Sequence, residues 1–423
     1  MRPQVVVVGA GFAGLDCVRR LVNEPVEVTL VDRNNYSLFT PLLYQVATAG
    51  LADSDVAHPV RGLFHDAANV RFRQATVTGV DWAERHVLVD AGAPIPFDHL
   101  VVAAGATTSW FGVEGAAEHA LPLATLDDGV RIRNHVLQLF EQADADPSLL
   151  DRGVLTVAVI GGGPTGVEMA GALGELFSMV LSKDFRRLDV RRARVVLVEM
   201  ADVVLPPFSD RAHRHAREAL AARGVELRLG EAVERVDAEG VTLRSGERIA
   251  AGTVVWAAGV RAGALADVLG LPQGRGGRIE VGPDLRVPGH ADVWAVGDVA
   301  GTGLPQVAGV AKQSGRHVGR QIGRLVRGKP VQPFRYRDRG SMATIGRRSA
   351  VADMPLRIRL TGAVAWVAWL FLHLLYLAGL RNRATVLVNW VWGYLTWDRG
   401  NRLITGYPPG VWRTATRTGR TST

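Results

Sequence analysis

The sequence predicts an α/β protein in which parallel β-sheets are flanked by helices, and three observations lead to this prediction. Aliphatic runs alternate with glycine-rich turns and helical stretches over most of the 423 residues. Two of these runs enter a Gly-x-Gly-x-x-Gly turn followed by a helix, a pattern typical of Rossmann-like dinucleotide-binding domains. The length fits two or three domains, each with a core of its own.

The first glycine turn follows the apolar residues 5–8, and residues 15–21 are expected to form the helix after it. Such a turn places backbone N–H groups and the positive end of the helix dipole against a pyrophosphate. The next strand, residues 26–31, ends at Asp32, where a carboxylate can accept hydrogen bonds from a ribose. The alternative is that Asp32 only caps the strand. The binding residues predicted here are Gly9, Gly11, Phe12, Ala13, Gly14, Asp32 and Arg33.

Two later segments have the same strand-to-glycine form. One ends at Ala104 and Gly105, and the other ends at Gly297 and Asp298. Because the second lies far beyond the other glycine turn, we expect the first domain to be interrupted by an inserted domain. The predicted boundaries are 1–120 and 263–345 for the first nucleotide domain, 121–262 for the inserted domain, and 346–423 for a C-terminal region.

The second glycine turn follows the apolar residues 157–160. The strand after its helix ends at Glu199, whose carboxylate would bind ribose hydroxyls and repel a 2′-phosphate, which favours NADH over NADPH. Arg191, Arg192 and Arg194 lie close enough in sequence to leave NADPH open. The binding residues predicted here are Gly161, Gly163, Pro164, Thr165, Gly166, Glu199, Ala258 and Gly259.

Glu168, just after the second turn, has two readings. It either complements the helix dipole as a charge in the first turn, or holds the nicotinamide edge and relays protons. Cys17 is the sole cysteine, which excludes internal disulfides, cysteine-based metal sites and a redox-active dithiol, and we expect it to pack in the core. The residues before the first strand lack the pattern of a secretory signal.

The charge is unevenly distributed. From Arg335 onward there are 14 Arg, no Lys and 3 Asp, a net +11 in a chain of net +8. Residues 361–380 carry no formal charge, and a second segment, 386–397, adds Trp390, Trp392, Tyr394 and Trp397. Arginine and tryptophan together are typical of a lipid headgroup boundary. A buried core helix and a transmembrane helix are the alternatives, but we favour a monotopic helical pair. The tail after Val411 is expected to be disordered.

With these residues in place, the chain resembles the type II NADH:quinone oxidoreductases, single-subunit NADH dehydrogenases that do not pump protons. The resemblance is carried by residues 32–36, by 39–47 and by the stretch 305–318. It implies non-covalently bound FAD, with Thr40 and Pro41 near the isoalloxazine. It also implies a quinone-site motif, Ala-Gln-x-Ala-x-Gln, which here is Ala308 to Gln313 with Gly309 in place of the first glutamine.

The resemblance implies hydride transfer from NADH to FAD and electron transfer to a quinone near Gln313, as part of respiratory electron transport. Backbone N–H groups of Val310, Ala311 and Lys312 are expected to face the flavin C2 carbonyl, and Lys312 either adds to this or is solvated. The catalytic candidates are Glu168, Lys312 and Gln313. Arg347 and Arg348 either line the quinone entrance or face lipid phosphates, and His373 is expected to be non-catalytic.

The resemblance also implies a peripheral location on the cytoplasmic side of the inner membrane, with docking through C-terminal helices. Symmetry arguments alone suggest a homodimer formed through the same region. Two other functions stay open: reduction of a soluble electron carrier, and a slow, membrane-bound redox sensor. Sulfide:quinone chemistry is excluded because it requires reactive cysteines beyond Cys17.

Overall fold

The computed structural model describes residues 2–377, 379–396 and 400–405. They form two compact units, the first made of residues 2–38, 57–109 and 260–339 and the second of 39–56, 110–259 and the described residues from 340 onward. The divisions at 109, 259 and 339 lie near the predicted boundaries at 120, 262 and 345. The second unit also takes in residues 39–56 and the C-terminal region, which the predicted domain list keeps apart from the inserted domain.

The first unit is built on a five-stranded parallel sheet whose strands come from three distant parts of the chain. In spatial order they are Val293–Ala295, His99–Val102, Gln4–Val8, Glu27–Asp32 and Val70–Gln74. The return of the chain after residue 260 to complete this sheet agrees with the predicted interruption. Both sheet faces are covered by apolar side chains, as expected for parallel strands.

Two helices pack closely on one face of this sheet. Phe12–Leu21 begins inside the first glycine turn, earlier than predicted, and lies against Ala308–Val326. A Cβ at Gly315 would overlap the Ala13 carbonyl, so glycine permits the close approach of the two backbones. Cys17 is fully buried between them as expected, and burial raises the pKa of its thiol to about 12.

The remaining elements of the first unit are short. They are the antiparallel strands Val77–Asp81, His86–Val89 and Ile95–Pro96; the pairs Tyr36–Leu38 with Ala57–Pro59 and Ala106–Thr108 with Val260–Ala262; the helices Val60–Leu63 and Leu265–Val268; and the 3₁₀ turns Arg275–Gly277 and Gly297–Val299.

The second unit repeats the same plan. Its five parallel strands, in spatial order, are Leu121–Pro122, Thr253–Trp256, Thr156–Ile160, Arg194–Glu199 and Val225–Leu229. The helix Pro164–Glu175 follows the second glycine turn and continues into a π-helical stretch, Leu176–Leu181. The helix Leu126–Ala145 is capped by Thr125, which accepts from the Asp128 N–H while the Asp128 carboxylate accepts from the Thr125 N–H.

Further elements of the second unit surround this sheet. They are the helices Leu43–Ala47, Asp53–Val56, Ala116–His119, Ser182–Asp184 and Asp210–Ala221; the 3₁₀ turns Thr40–Leu42, Pro147–Arg152, Val190–Arg192 and Pro355–Arg357; and the antiparallel sheets Val233–Asp237 with Gly240–Leu243 and Arg248–Ala250, and Ser341–Gly346 with Ser349–Met354 and Ile358–Thr361.

The apolar segment 361–380 forms a helix of 15 residues, Gly362–Tyr376, and the chain turns at Leu377. A second helix, Leu380–Thr396, begins earlier than predicted. This agrees with the expected pair of helices. Within the described ranges, no helix combines the length and apolarity needed to cross a membrane. Trp397 and the tail after Val411 lie outside the described residues.

Candidate functional site: two nucleotide turns and a cavity in the second unit

The first glycine turn is closed by the acid predicted from the sequence. Asp32 Oδ2 accepts from the Ala10 N–H at 2.7 Å, and its Oδ1 accepts from the Asn34 N–H at 2.7 Å. Burial raises the pKa of Asp32, while these N–H groups and the neighbouring Arg33 lower it. Asp32 therefore holds the turn in place at the carboxyl end of its strand, so capping and ribose binding are not exclusive roles.

The glycines of this turn have separate functions. Gly9 has φ +108° and lies on the Ala103 carbonyl beside Ala104, and a Cβ at Gly14 would overlap the Gly9 carbonyl. A Cβ at Gly11, in contrast, would meet no atom within 4 Å. Gly9 and Gly14 are thus required by the fold, whereas Gly11 leaves the helix N-terminus open to a phosphate, which fits a dinucleotide.

The returning segment joins this turn. A Cβ at Gly297, whose φ is +72°, would be 3.0 Å from Ala13 Cβ and 3.5 Å from Ala311 Cβ. Asp298 Oδ1 is buried and has no hydrogen-bond partner among the described residues, and burial raises the pKa of this carboxyl. An unpaired buried acceptor beside a phosphate-type turn fits the hydroxyl groups of a flavin nucleotide. Gly105 also has positive φ.

The second glycine turn is constructed in the same way. Glu199 Oε2 accepts from the Gly162 N–H at 2.5 Å, and its Oε1 accepts from the Ala201 N–H at 2.8 Å. Gly161 has φ +106° and lies against Ala258, and a Cβ at Gly163 would meet no atom within 4 Å. The acid and the open glycine occupy the same places as in the first turn, so both turns fit a dinucleotide.

The arginines near Glu199 in sequence are engaged elsewhere. Arg191 pairs with Asp189 at 2.8 Å, Arg192 with Asp151 at 2.7 Å, and Arg194 with Glu226 at 2.7 Å. A 2′-phosphate beside Glu199 would therefore be repelled by its carboxylate, while the three guanidinium groups that could bind the phosphate are paired with other acids. This favours NADH over NADPH.

The helix after the second turn begins at Pro164, with Thr165 and Gly166 in its first turn, so Glu168 is its fifth residue and lies beyond that turn. A second observation also argues against Glu168 as a charge that complements the helix dipole. Glu168 is 7% exposed, and burial raises the pKa of its carboxyl to about 8. A carboxyl that is neutral at pH 7 cannot complement a dipole as a charge. Glu168 Oε1 accepts from the Thr344 N–H at 3.2 Å.

A cavity opens one helical turn beyond Glu168, where Ala172 and Thr344 line it. Trp390 Nε1 donates to Gln45 Oε1 at 2.9 Å, and Gln45 Nε2 donates to Tyr44 Oη at 2.8 Å. Because Tyr44 accepts this bond, its own hydroxyl proton is available to another acceptor. Burial raises the pKa of Tyr44 well above its usual range. Other lining residues are Thr48, Glu175, Gly346, Arg347, Asn389 and Tyr394.

Arg347 is fixed at this cavity by its backbone. The buried Glu175 carboxylate accepts from the Arg347 N–H at 2.5 Å and pairs with Arg223 at 3.0 Å, while Arg223 donates to the Arg347 carbonyl at 2.8 Å. The Arg347 guanidinium lies 5.9 Å from the Tyr394 ring centroid. The structure thus places Arg347 in the cavity wall. Tyr44 and Gln45 lie in the stretch 39–47 that carries the resemblance, but they and Glu175 are not among the predicted site residues.

The helix Ala308–Val326 of the first unit corrects two expectations. The N–H groups of Val310 and Ala311 both donate to the Val307 carbonyl, so the amides without an intrahelical acceptor are those of Ala308 and Gly309. Lys312 is half-buried, its Nζ lies 5.7 Å from the Phe12 ring centroid, and burial lowers its pKa. Lys312 is therefore neither fully solvated nor an ordinary surface cation.

Gln313 binds the backbone of its own unit. Its Nε2 donates to the Arg337 carbonyl at 2.9 Å, and its Oε1 accepts from the Arg337 N–H at 3.0 Å. Gly309 lies beside Tyr336, since a Cβ there would be 3.2 Å from the phenol oxygen. Both ends of the Gln313 amide thus hold the Arg337 backbone, and the contact of Gln313 with an electron acceptor stays a prediction.

His373 and the Thr40–Pro41 pair lie in the second unit. His373 Nδ1 bonds the Trp369 carbonyl at 2.8 Å, its ring stacks on Trp369 at 4.0 Å, and burial lowers its pKa to about 4. This supports a satisfied, neutral histidine. Thr40 and Pro41 open a 3₁₀ turn with Thr40 exposed, and their place near a flavin stays a prediction, as does that of the positive-φ residue Gly259 near a nicotinamide nucleotide.

Two family models match the chain. Residues 3–315 match the pyridine nucleotide-disulphide oxidoreductase family, and residues 339–396 match the NDH2 C-terminal domain. The type II NADH:quinone oxidoreductase Ndh of Mycobacterium tuberculosis is 39% identical over 421 residues, covering 96% of this chain and 90% of that protein. The type II NADH:quinone oxidoreductase of Staphylococcus aureus is 32% identical, covering 84% and 91%.

Solved structures agree with the fold. The structure of NDH2 from Plasmodium falciparum in complex with NADH superposes with a TM-score of 0.86 at 18% identity, covering 96% of this chain and all of that one. The sulfide:quinone oxidoreductase of Aquifex aeolicus gives 0.70 at 18% identity. With two matching turns, a C-terminal domain of the same kind and relatives aligned along nearly its whole length, the chain belongs to the type II NADH:quinone oxidoreductase family.

Proposed function

We propose that this protein is a membrane-associated flavoenzyme that oxidises NADH and reduces a quinone without pumping protons. Membership of the family, carried by 39% identity over 96% of the chain, is the observation that supports it most strongly. FAD, when bound, supplies the redox chemistry, since it accepts a hydride and releases two electrons to the acceptor. The protein supplies binding, orientation and protons.

In this proposal FAD is held by the first turn and its returning segment. Gly11 leaves room for the pyrophosphate, Asp32 faces the ribose, and the unpaired Asp298 Oδ1 receives a hydroxyl group. NADH is held by the second turn, with Gly163 facing its pyrophosphate and Glu199 its ribose. This proposal keeps the assignment predicted from the sequence, in which FAD binds to the first nucleotide domain and NADH to the inserted domain.

We place the acceptor's proton supply in the second unit, at Glu168 and at Tyr44 in the wall of the neighbouring cavity. Reduction of a quinone to a quinol adds two protons, so a proton donor near neutral pH is required. The Glu168 carboxyl, with a pKa of about 8, is protonated at pH 7 and close to the optimum for such a donor. The Tyr44 hydroxyl, which accepts from Gln45, is a second donor in the same unit.

We further propose that the Trp- and Arg-rich helices Gly362–Tyr376 and Leu380–Thr396 carry the membrane association, on the cytoplasmic face of the inner membrane. Exposed apolar residues support this: Val364, Val367, Phe371 and Leu375 on the first helix, and Val388, Val391, Trp392 and Leu395 on the second. Side chains of this kind bury their apolar area at a lipid surface. Homodimerisation through this region stays a prediction, which sedimentation in detergent would test.

Anaerobic stopped-flow mixing of the purified flavoprotein with NADH tests the function. We expect rapid bleaching of the flavin, followed by reoxidation when a short-chain quinone is added, at a steady rate of roughly tens of turnovers per second. Bleaching without reoxidation by quinone would refute the acceptor and favour a soluble carrier. Bleaching and reoxidation at a rate far below this would favour a redox sensor.

A further inference from the structure

A hairpin of the second unit exposes a large apolar side chain at its tip. The strands Ser349–Met354 and Ile358–Thr361 are joined by a turn, and we call residues 354–358 the hairpin tip. Leu356 is 92% exposed there, and its neighbours Met354 and Ile358 are 39% and 47% exposed. Three apolar residues thus extend from the protein at one tight turn.

The backbone of the hairpin tip adopts a left-handed conformation at Leu356 and Arg357, which these residue types rarely adopt. Leu356 has φ +62° and Arg357 has φ +60°. Two successive residues at positive φ define a turn in which glycine or asparagine is the ordinary choice, and a branched side chain there is strained. Leu356 gains nothing from the core in return. The usual reasons for a leucine are absent, and strain of this kind is found where a function requires it.

Positive charge surrounds the hairpin tip. Arg357 and Arg359 are exposed, and Arg211 from the adjacent helix Asp210–Ala221 donates to Thr361 Oγ1 at 3.3 Å. That helix packs against the strand Ile358–Thr361 and also carries the exposed residues Arg214, Arg217, Asp210 and Glu218. The remaining acid, Asp353, accepts from the Ser209 N–H and hydroxyl at 2.6 and 2.9 Å. The hairpin and the neighbouring helix therefore carry five arginines and three carboxylates, and one of these carboxylates, Asp353, is already hydrogen-bonded to Ser209.

An apolar helix follows the hairpin directly in sequence. The strand Ile358–Thr361 runs without a loop into the helix Gly362–Tyr376. That helix exposes Val364, Val367 and Phe371, which are 66%, 58% and 64% exposed. An apolar tip with flanking arginines, followed by an apolar helix face, matches a bilayer whose acyl region is bordered by phosphates.

We propose that the hairpin tip is a membrane-inserting wedge, in which Leu356 enters the acyl boundary while Arg357, Arg359 and Arg211 bind the headgroups of anionic lipid. The proposal rests on the membrane association stated above and adds a second contact to that of the two C-terminal helices. It also adds a contact with anionic headgroups at the hairpin tip.

Leu356→Gly tests membrane insertion without disturbing the fold. Glycine relieves the strain at φ +62°, so we expect the melting temperature to stay the same or rise. Affinity of the flavoprotein for phosphatidylcholine/phosphatidylglycerol vesicles is expected to fall roughly tenfold, because the insertion of one leucine is lost. Val268→Ser, which removes an exposed valine from the first unit, is the matched control and should change nothing. Unchanged vesicle affinity in Leu356→Gly would overturn the wedge.

The Arg357→Gln/Arg359→Gln double variant tests the headgroup preference. Each arginine near an anionic surface is worth roughly a fivefold change in affinity. We therefore expect a drop of about 25-fold on anionic vesicles and little change on neutral phosphatidylcholine vesicles. Arg71→Gln, at an exposed arginine of the first unit, is the control for net charge. An equal drop on both vesicle types, or none on either, contradicts the headgroup contact.

A label reports insertion directly. Cys17 is the sole cysteine and is fully buried, so Leu356→Cys and the control Ser245→Cys can each be labelled selectively with a polarity-sensitive dye. A blue shift on vesicle addition at residue 356 and none at residue 245 supports insertion, whereas the absence of a shift at 356 overturns it. NADH oxidation with a short-chain quinone, measured without vesicles, should be normal in Leu356→Gly. If wild-type protein lacks that activity, the proposed function fails independently of the wedge.

Discussion

Glu168→Gln is the substitution whose effect the structure specifies most closely. The carboxyl is buried, accepts one backbone N–H and has a pKa of about 8, raised by burial from 4.5. Glutamine keeps a carbonyl oxygen for the Thr344 N–H but cannot titrate. The change therefore removes a proton-binding site from the second unit and preserves its shape.

The magnitude follows from linkage between protonation and folding. Between pH 4.5 and about 8 the folded state retains a proton on Glu168 that the unfolded state has lost. Stability therefore falls as pH rises through this window, by about 1.4 kcal/mol per pH unit and about 5 kcal/mol in all. Below the window both states are protonated and this contribution to the pH dependence vanishes.

Urea unfolding at about pH 5 and about pH 8.5 measures this difference. We expect the loss of stability with rising pH to be several kcal/mol smaller in Glu168→Gln than in the wild type. The catalytic pH profile should also lose an inflection near 8. Glu141→Gln, at an exposed glutamate of the same unit, is the control and should follow the wild type. Equal pH dependence of the unfolding free energy in wild type and Glu168→Gln would refute the raised pKa.

Three other predictions follow from the site geometry. Gly11→Ala should fold, because a Cβ there meets no protein atom, yet purify with less FAD, as the ratio of flavin absorbance to protein absorbance will show; normal flavin content would disprove the placement. Glu199→Gln should raise KM for NADH about tenfold and narrow the preference over NADPH, whereas an unchanged ratio of kcat/KM values would remove Glu199 from cofactor choice. Trp390→Phe should lower the free energy of unfolding by about 1–3 kcal/mol, because buried Gln45 Oε1 loses its hydrogen-bond donor. Trp392→Phe, at a tryptophan that is 61% exposed, should leave the free energy of unfolding unchanged, and equal losses in the two variants would contradict this.

Local sequence patterns predicted the two nucleotide turns with their acids. Each turn depends on contacts between residues that a short strand and helix bring together, such as Asp32 with the Ala10 N–H and Glu199 with the Gly162 N–H. Glycine at positive φ and an acid at a strand end are local requirements, so they are visible in the sequence. The predicted strand ends differ from the observed ones by about one residue.

Local patterns failed where the environment of a side chain depends on distant segments. For Glu168 the sequence leaves a helix-start charge and a proton relay open, and only its burial beside Thr344 makes it a neutral acid with a raised pKa. For Gln313 the sequence gives no sign that the backbone of Arg337 holds both ends of its amide. Desolvation and hydrogen-bond pairing are set by chain segments far apart in sequence, and no local periodicity reports them.

The sequence by itself thus determined the two dinucleotide turns, the interrupted first domain and the pair of apolar C-terminal helices, since each follows from periodicity, glycine placement or composition. Only the tertiary structure decided the cavity with its Trp390–Gln45–Tyr44 chain, the protonation of Glu168 and the exposure of Leu356 at positive φ. The physical reason is that burial, pairing and backbone strain are properties of the packed chain and arise only when distant residues meet.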